Sequence, residues 1–428
     1  MPDTLLNKSD ALNALPGEWP SDLMPHIRDR LKQSRTKIVV LDDDPTGTQT
    51  VHDIPVLTTW DADTLKTELL NPGNAFFILT NSRGLTRDKA CELGREIGEN
   101  LRAASEALDV PVSIVSRSDS TLRGHFPDEV DAVAGAVGNN ELPYLICPFF
   151  LEGGRLTLDN IHYVAEGDVL TPAAQTSYAR DAAFGFSRSN LCEWVEEKTG
   201  GRIPAHQVTA VTLEDIRKGG PDRVARILED VPPKGACIVN AASYRDMEVV
   251  VCGLLAARAN GKHFLYRTAA SFVRVRAGVI PRDDLISPAD LASGSREGGL
   301  FVVGSYVPKT TAQVAALLEQ TDVTAIEIRV GQVLDESSRQ AEIDRAAGLM
   351  NASLLGGMDT LIFTSRELVR DSDPEKSLMI GQAVSASLIE IVRQIDCRPR
   401  YLVAKGGITS SDVATQGLGI RRAMVMGQ

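Results

Sequence analysis

Short apolar runs alternate with stretches whose apolar residues recur at helical spacing along most of the chain. The runs Lys37–Leu41, Ala75–Thr80, Pro111–Ser116, Leu142–Cys147, Ala236–Asn240 and His263–Tyr266 read as buried strands. Asp88–Leu108 and Tyr244–Asn260 read as amphipathic helices between them. Continuous apolar strands separated by helices imply a mostly parallel sheet covered on its faces. The pattern breaks over residues 278–299, where proline, glycine, serine and charge concentrate as in an interdomain linker. It then restarts with Leu300–Gly304, a helix from Thr310, Ala325–Val330, a helix over Arg339–Leu355, Thr360–Thr364, a long helix Ser377–Ile395, Tyr401–Ala404 and Arg422–Met426. The expected fold class is α/β, with two domains, each a mostly parallel sheet flanked by helices. Residues 1–35 are a mobile or helical lead-in, 36–277 the first domain, 278–299 the linker and 300–428 the second domain.

Composition narrows the picture. The 428 residues carry 57 acidic and 45 basic side chains, a net charge of −12, with 43% apolar and 24% charged residues. Those proportions belong to a folded globular chain rather than a disordered one, and the length favours two cores over one. The acidic balance argues against nucleic acid as a partner, although local geometry can still bind a phosphate. The six cysteines include no C-x-x-C pair and none has a histidine at zinc-finger spacing, so they read as free thiols in a reducing compartment, and no metal-ligand set emerges. No run approaches the ~18 apolar residues of a membrane span. Residues 1–19 carry Asp3, Lys8, Asp10 and Glu18 where a secretory leader needs an apolar stretch. The expectation is a soluble cytoplasmic protein without a membrane partner, with a homodimer as the commonest assembly.

Chemistry-bearing residues cluster where apolar strands end. Asp42-Asp43-Asp44-Pro45-Thr46-Gly47 follows Ile38-Val39-Val40-Leu41, and carboxylates at such strand ends sit at the mouth where α/β proteins bind ligands. Adjacent acids repel unless a metal, a proton or a donor offsets them; the plainer alternative is a solvated acidic turn. Ser116-Arg117-Ser118-Asp119-Ser120-Thr121-Leu122-Arg123-Gly124-His125 suits a small polyhydroxylated anion, with arginine forks for a carboxylate and Asp119 and Ser120 for hydroxyls; it equally suits a helix cap. The stretch from Phe149 to Tyr163, with Gly153-Gly154-Arg155, reads as a turn and hairpin over the same strand ends, and His162 within it as structural. Arg267 and Thr268 stand at a strand-to-helix junction. Lys405-Gly406-Gly407-Ile408-Thr409-Ser410 follows a strand and opens a helix, which suits an anion, although a plain capped turn has the same pattern. Gly304-Ser305-Tyr306-Val307-Pro308-Lys309-Thr310 imitates a Walker loop, but Pro308 stands where the pattern needs glycine; Gly304 and Ser305 could still line a nucleotide site.

Taken together, these residues resemble the four-carbon acid sugar kinase family over nearly the whole chain from residue 36. The matching elements are Asp43, Asp44, Thr46 and Gly47; Asp119 to Gly124; Gly154 and Arg155; Tyr266 to Thr268; and Gly406, Gly407 and Thr409. The resemblance implies a first domain that binds a threonate, erythronate or oxo-tetronate type of acid and a second that binds ATP. The γ-phosphate then passes to a substrate hydroxyl in the interdomain cleft. The resemblance leaves the base open between Asp43 and Asp44, of which Asp44 is the first choice, and Asp119, Ser120, Arg123, Gly154, Arg155, Arg267 and Thr268 are expected on the substrate. Ser305, Gly406, Gly407, Ile408, Thr409 and Ser410 are expected at the nucleotide, with Mg2+ bridging its phosphates. The chain departs from the family at Gly304-Ser305-Tyr306-Val307, where Gly-Ser-Cys-Ser is usual, and at Arg117, where lysine is common. Family members also run on past Arg422–Met426 into a glycine-rich nucleotide segment, so part of the ATP site is expected beyond Gln428.

Two other readings compete. In a haloacid-dehalogenase-type phosphatase, Asp42 is the nucleophile and Asp44 the acid–base of a D-x-D-x-T motif, but Asp283-Asp284, the candidate later acidic pair, follows no strand. A non-enzymatic sugar-acid sensor is the third.

Overall fold

The computed structural model describes residues 4–427 except 283–284, 288, 292–293, 305–307, 321 and 366–373. The chain divides into two compact units, Met1–Asp283 with Arg422–Gln428, and Asp284–Arg421.

The first unit is built on a nine-stranded sheet. Across it the strands run Thr209–Val211, Ala236–Val239, Tyr144–Cys147, Leu265–Thr268, Val112–Arg117, Lys37–Asp42, Ala75–Leu79, Ile54–Leu57 and Arg422–Val425. Every pairing is parallel except the last. Strand alternation assigns the two faces: Ile38 and Val40 join one core, Val39 and Leu41 the opposite one. Each such side chain, fully withdrawn from water, contributes about 1.5–3 kcal/mol. Helices Arg87–Leu108 and Asp128–Ala136 cover the second face through Ile97, Leu101 and Val133. Tyr244–Ala259 covers the first through Val250 and Leu254, and begins at a capping box between Ser243 and Asp246. The 43–53 segment instead joins the first core through Val51. The chain thus leaves Lys37–Asp42 towards one face and Val112–Arg117 towards the other. That divergence opens a crevice between their carboxyl ends, as at a topological switch point.

Phe149–Tyr163 does form a turn and hairpin. Arg155–Leu158 and Ile161–Glu166 pair antiparallel, in a four-stranded sheet with Val169–Pro172 and Leu6–Asn7. Its Thr157 bridges Ala241 just past the Ala236–Val239 strand, which sets the hairpin beside the carboxyl ends of the large sheet. The lead-in contains two helices, Lys8–Asn13 and Met24–Gln33.

The second unit holds a parallel sheet in the order Thr324–Ile328, Thr360–Thr364, Leu300–Val303 and Leu402–Lys405. Leu300 and Val302 face one core, and Val303 the other. The final strand departs from the sequence grouping. Arg422–Val425 joins the first unit's sheet, antiparallel to Ile54–Leu57, rather than the second unit's. The alternation that marks a strand does not say which sheet edge will accept it. Here the choice is set by Arg422 Nε donating to the buried Glu68 at 2.7 Å and by Asp53 N–H donating to Val425 O at 2.7 Å. All six cysteines are free, and Cys147, Cys237 and Cys252 are buried. No described helix is long and apolar enough to cross a membrane.

Candidate active site

Parallel register lines up one row of residues across adjacent strand ends. Asp42 opposes Arg117, Arg117 opposes Thr268, and Thr268 opposes Cys147. The segments that follow these four strands therefore emerge side by side.

Within the acidic turn the three aspartates have different environments. Asp42 is 1% exposed, and its Oδ1 lies 3.3 Å from Arg117 Nη1. Burial raises its carboxyl to about 7, with Arg117 opposing the rise and Asp43 adding to it. Gly47 packs directly on it; a Cβ there would lie 1.8 Å from Asp42 Oδ2. Such a carboxylate has no room to attack a phosphorus, so the haloacid-dehalogenase reading loses its nucleophile. Asp43 is also buried; its Oδ2 accepts from Ser118 Oγ at 2.7 Å, and its Oδ1 has no hydrogen-bond partner. Asp44 is the accessible one, with its side chain 25% exposed. Its carboxylate pairs with Arg83 and accepts from the Thr46 N–H at 2.8 Å and from the Thr46 hydroxyl.

Arg83 ties this turn to the next, with Nη1 3.3 Å from Asp119 Oδ1. Asp119 also accepts from Arg123 Nε at 2.8 Å and from the Thr121 hydroxyl. Burial alone would raise the Asp119 carboxyl, but the Arg123 bond and charge, with Thr121 and Arg83, more than offset it and hold it at about 2. Arg123 continues to Asp181 at 3.6 Å and stacks over Tyr178, its carbon Cζ 5.0 Å from the ring centre. Arg155 approaches the same ring at 5.7 Å, after a turn in which Gly154 takes φ +71°. Arg267 is 1% exposed and donates to Arg123 O at 2.8 Å. Its Nε and Nη1, like Arg155 Nε, have no partner. Burial lowers Arg267 to about 10, against the pull of Asp43 and Asp119, so it remains cationic at neutral pH.

The structure thus brings Asp43, Asp44, Asp119, Arg123, Gly154, Arg155 and Arg267 into one connected cluster. Thr268 commits its hydroxyl to Ser116 O at 3.0 Å, whereas Ser120 is held through its backbone carbonyl, which accepts from His162. Arg83, Ser118, Tyr178 and Asp181 belong to the cluster without having been singled out from sequence. The signal for Arg83 was present: Thr80-Asn81-Ser82-Arg83 is a polar run directly after the apolar Ala75–Leu79 strand.

His162 is structural. Its Nε2–H donates to Ser120 O at 2.8 Å, and its Nδ1 accepts from Thr157 Oγ1 at 2.9 Å, both inside the protein. Burial is the main cause that lowers it from 6.5 to about 4. Between those values the unfolded chain takes up a proton that the folded chain refuses, so this group's stabilisation is present above 6.5 and is lost as pH falls towards 4. The loss amounts to about 3 kcal/mol. Asp42, raised by burial, acts in the opposite sense over much of that window. The expected result is therefore a difference: urea unfolding of wild type should lose stability on acidification relative to His162→Gln. Parallel pH profiles for the two proteins would contradict this assignment.

In the second unit, the loops after Leu300–Val303 and Leu402–Lys405 approach each other. A Cβ on Gly304 would come within 2.7 Å of Thr409 Oγ1. Gly406 takes φ +111° and precedes a short helix, Gly407–Asp412. Ser410 Oγ donates to Ala404 O at 2.9 Å and Gly406 O at 2.7 Å, so its hydroxyl is engaged within the turn. Ser305 lies outside the described residues, as does the side chain of Ile408. No group of three or more His, Cys, Asp or Glu side chains among the described residues is arranged to hold a metal ion.

A parallel α/β unit with a carboxylate–guanidinium cluster at its strand ends, followed by a second parallel unit with a glycine loop, defines a two-unit α/β class of protein with anion-suited strand ends. Comparison supports this at domain level. Residues 38–276 match a sugar-binding N-terminal domain and residues 300–428 a nucleotide-binding C-terminal domain. The chain belongs to the four-carbon acid sugar kinase family. It is similar to a D-erythronate kinase of Heliobacterium modesticaldum, 23% identical over 323 residues, which cover 73% of this chain and 67% of that one. It is also similar to a D-threonate kinase of Bordetella bronchiseptica, 32% identical over 114 residues, only 27% of this chain and 26% of that one. Among solved structures, a Salmonella typhimurium LT2 protein shares the fold at TM-score 0.64 and 16% identity, covering 90% of this chain and 89% of that one. A Haemophilus influenzae protein does so at TM-score 0.62 and 17% identity, covering 91% and 90%.

Proposed function

We propose that the protein is an ATP-dependent kinase that phosphorylates a hydroxyl of a four-carbon sugar acid of the threonate, erythronate or oxo-tetronate type. The observation that carries the reading is the cluster itself. Accessible Asp44, paired with Arg83, belongs to a cluster that also holds Arg155 and Arg267, whose unpartnered guanidinium atoms suit a carboxylate, at the carboxyl ends of parallel strands in the unit that matches a sugar-binding domain. The curated relatives named as kinases of such acids support the substrate class.

In this reading Arg267 and Arg155 hold the substrate carboxylate, and Asp119 with Ser120 and Arg123 meet its hydroxyls. Asp44 accepts the proton of the attacking hydroxyl. Asp43, buried and tied to Ser118, fixes the turn that carries Asp44. Gly154 lets the Arg155 turn form, and Thr268 holds the strand end beneath. The second unit presents ATP, with Gly406 to Ser410 and Gly304–Ser305 near its phosphates. Gly304 packed on Thr409 and the left-handed backbone at Gly406 fit the close approach of an anion. Phosphoryl transfer asks little covalent help, so positioning and charge carry most of the catalysis. Mg2+ would travel with the nucleotide phosphates, largely in its water shell, and no residue here is assigned to it.

The deciding experiment is a screen of ATP consumption over a panel of four-carbon sugar acids. ADP release that requires one of these acids is expected. Hydrolysis of ATP regardless of acceptor, or of a generic phosphate ester without ATP, would sink the proposal. Arg155→Ala should raise KM for the acid about tenfold or more while leaving KM for ATP nearly unchanged. Equal effects on both would contradict the division of labour between the two units.

A further inference from the structure

Away from the strand carboxyl ends, the first unit carries a pocket of about 290 Å3 lined by Arg30, Ser34, Thr36, Arg258, His263 and Arg276 among others. Thr36 precedes the Lys37–Asp42 strand and His263 precedes Leu265–Thr268, so the pocket lies at the amino edge of the sheet. No carboxylate is among its lining residues. That is notable in a chain whose net charge is −12.

Arg276 makes the pocket more than a patch of surface cations. It is 1% exposed, and its Nε and Nη1 have no hydrogen-bond partner. Of the charged or titratable groups that act on it, the Tyr266 phenol supports its charge and Arg258 opposes it, and no carboxylate is among them. A buried guanidinium without a counter-charge, facing further arginines, is costly in isolation. An oxyanion seated between Arg276, Arg258 and Arg30 would supply the missing counter-charge and cancel the mutual repulsion. Guanidinium forks match phosphate oxygens in pairs, and the Ser34 and Thr36 hydroxyls can complete the coordination. We propose that this pocket binds a small phosphate-bearing anion, either inorganic phosphate or a phosphomonoester, at a site separate from the strand-end cluster. Arg276 ends the helix Ala270–Arg276, which starts directly after Thr268–Ala269, so one short element joins the two places.

Calorimetric titration of the full chain tests this, using sodium phosphate and glycerol 3-phosphate against sodium chloride at matched ionic strength. Saturable binding is expected for at least one of the two phosphates. If inorganic phosphate alone binds, the free ion is the ligand; if the ester binds more tightly, an esterified phosphate is. Arg30→Gln with Arg258→Gln, one exposed and one half-buried position, should weaken that binding by about tenfold or more without lowering the melting temperature of the unliganded protein. Arg155→Gln, in the strand-end cluster, should leave it intact. No saturable heat from either phosphate, or loss of binding in Arg155→Gln with retention in the double variant, overturns the proposal.

Discussion

Asp44→Asn is expected to lower kcat by roughly 10²–10⁴ while leaving the melting temperature and KM for ATP close to wild type. The substitution keeps the shape of the side chain and removes its capacity to take a proton. Asp44 is the carboxylate of the acidic turn that solvent can reach, with 25% of its side chain exposed, whereas Asp42 and Asp43 are buried. Its pairing with Arg83 aims the carboxylate rather than hiding it, because Thr46 and Arg83 engage it from the protein side. A coupled ADP-release assay under saturating acid reads kcat directly. Near-normal turnover would withdraw the role from Asp44 and leave Asp43, with its unpartnered Oδ1, as the remaining candidate.

Gly47→Ala is expected to cost roughly 3 kcal/mol of stability and to abolish most turnover. The reason is a single contact: the new methyl would fall 1.8 Å from Asp42 Oδ2 and 2.2 Å from its Cγ. Asp42 cannot move aside without leaving Arg117 and entering a packed strand end. The turn that carries Asp43 and Asp44 would shift with it. Denaturant unfolding of Gly47→Ala, Asp42→Ala and the double variant isolates this cause. Removing the Asp42 carboxylate removes the obstruction, so the double variant should be more stable than the sum of the single effects. Strict additivity would place the cost of Gly47→Ala elsewhere.

Much of the architecture was legible because parallel strands bury both faces and so read as unbroken apolar runs. Lys37–Asp42, Ala75–Leu79 and Tyr144–Cys147 are found where those runs lie. Thr209–Val211 and Ile54–Leu57, three and four residues long, were not legible. Pro55 interrupts the second, and so short a segment carries almost no periodicity. The hairpin after Phe149 was readable from its glycines; its further strand Val169–Pro172 was not. In the site, the acidic turn, the Asp119–Arg123 stretch, Arg155 and Arg267 could be found because each follows a recognisable strand or turn. Arg83 followed a strand equally well but has no distinctive spacing. Tyr178, in the short 3-10 helix Ser177–Arg180, and Asp181 just after it are brought beside Arg123 and Arg155 only by tertiary packing.

From its sequence alone this protein declared two α/β units, the strand ends that carry its candidate site and its likeness to a sugar-acid kinase. Those features are written in local periodicity and short spacings, which the chain carries with it before it folds. The tertiary structure decided which aspartate is accessible, that Thr268 and the Ser120 backbone hold the scaffold, that Arg83 couples two loops, and that Arg422–Val425 returns to the first sheet. It also gathered Arg30, Arg258 and Arg276 from distant segments around one pocket. Burial, ion pairing and sheet-edge choice depend on which remote residues arrive beside one another, and no local pattern encodes that.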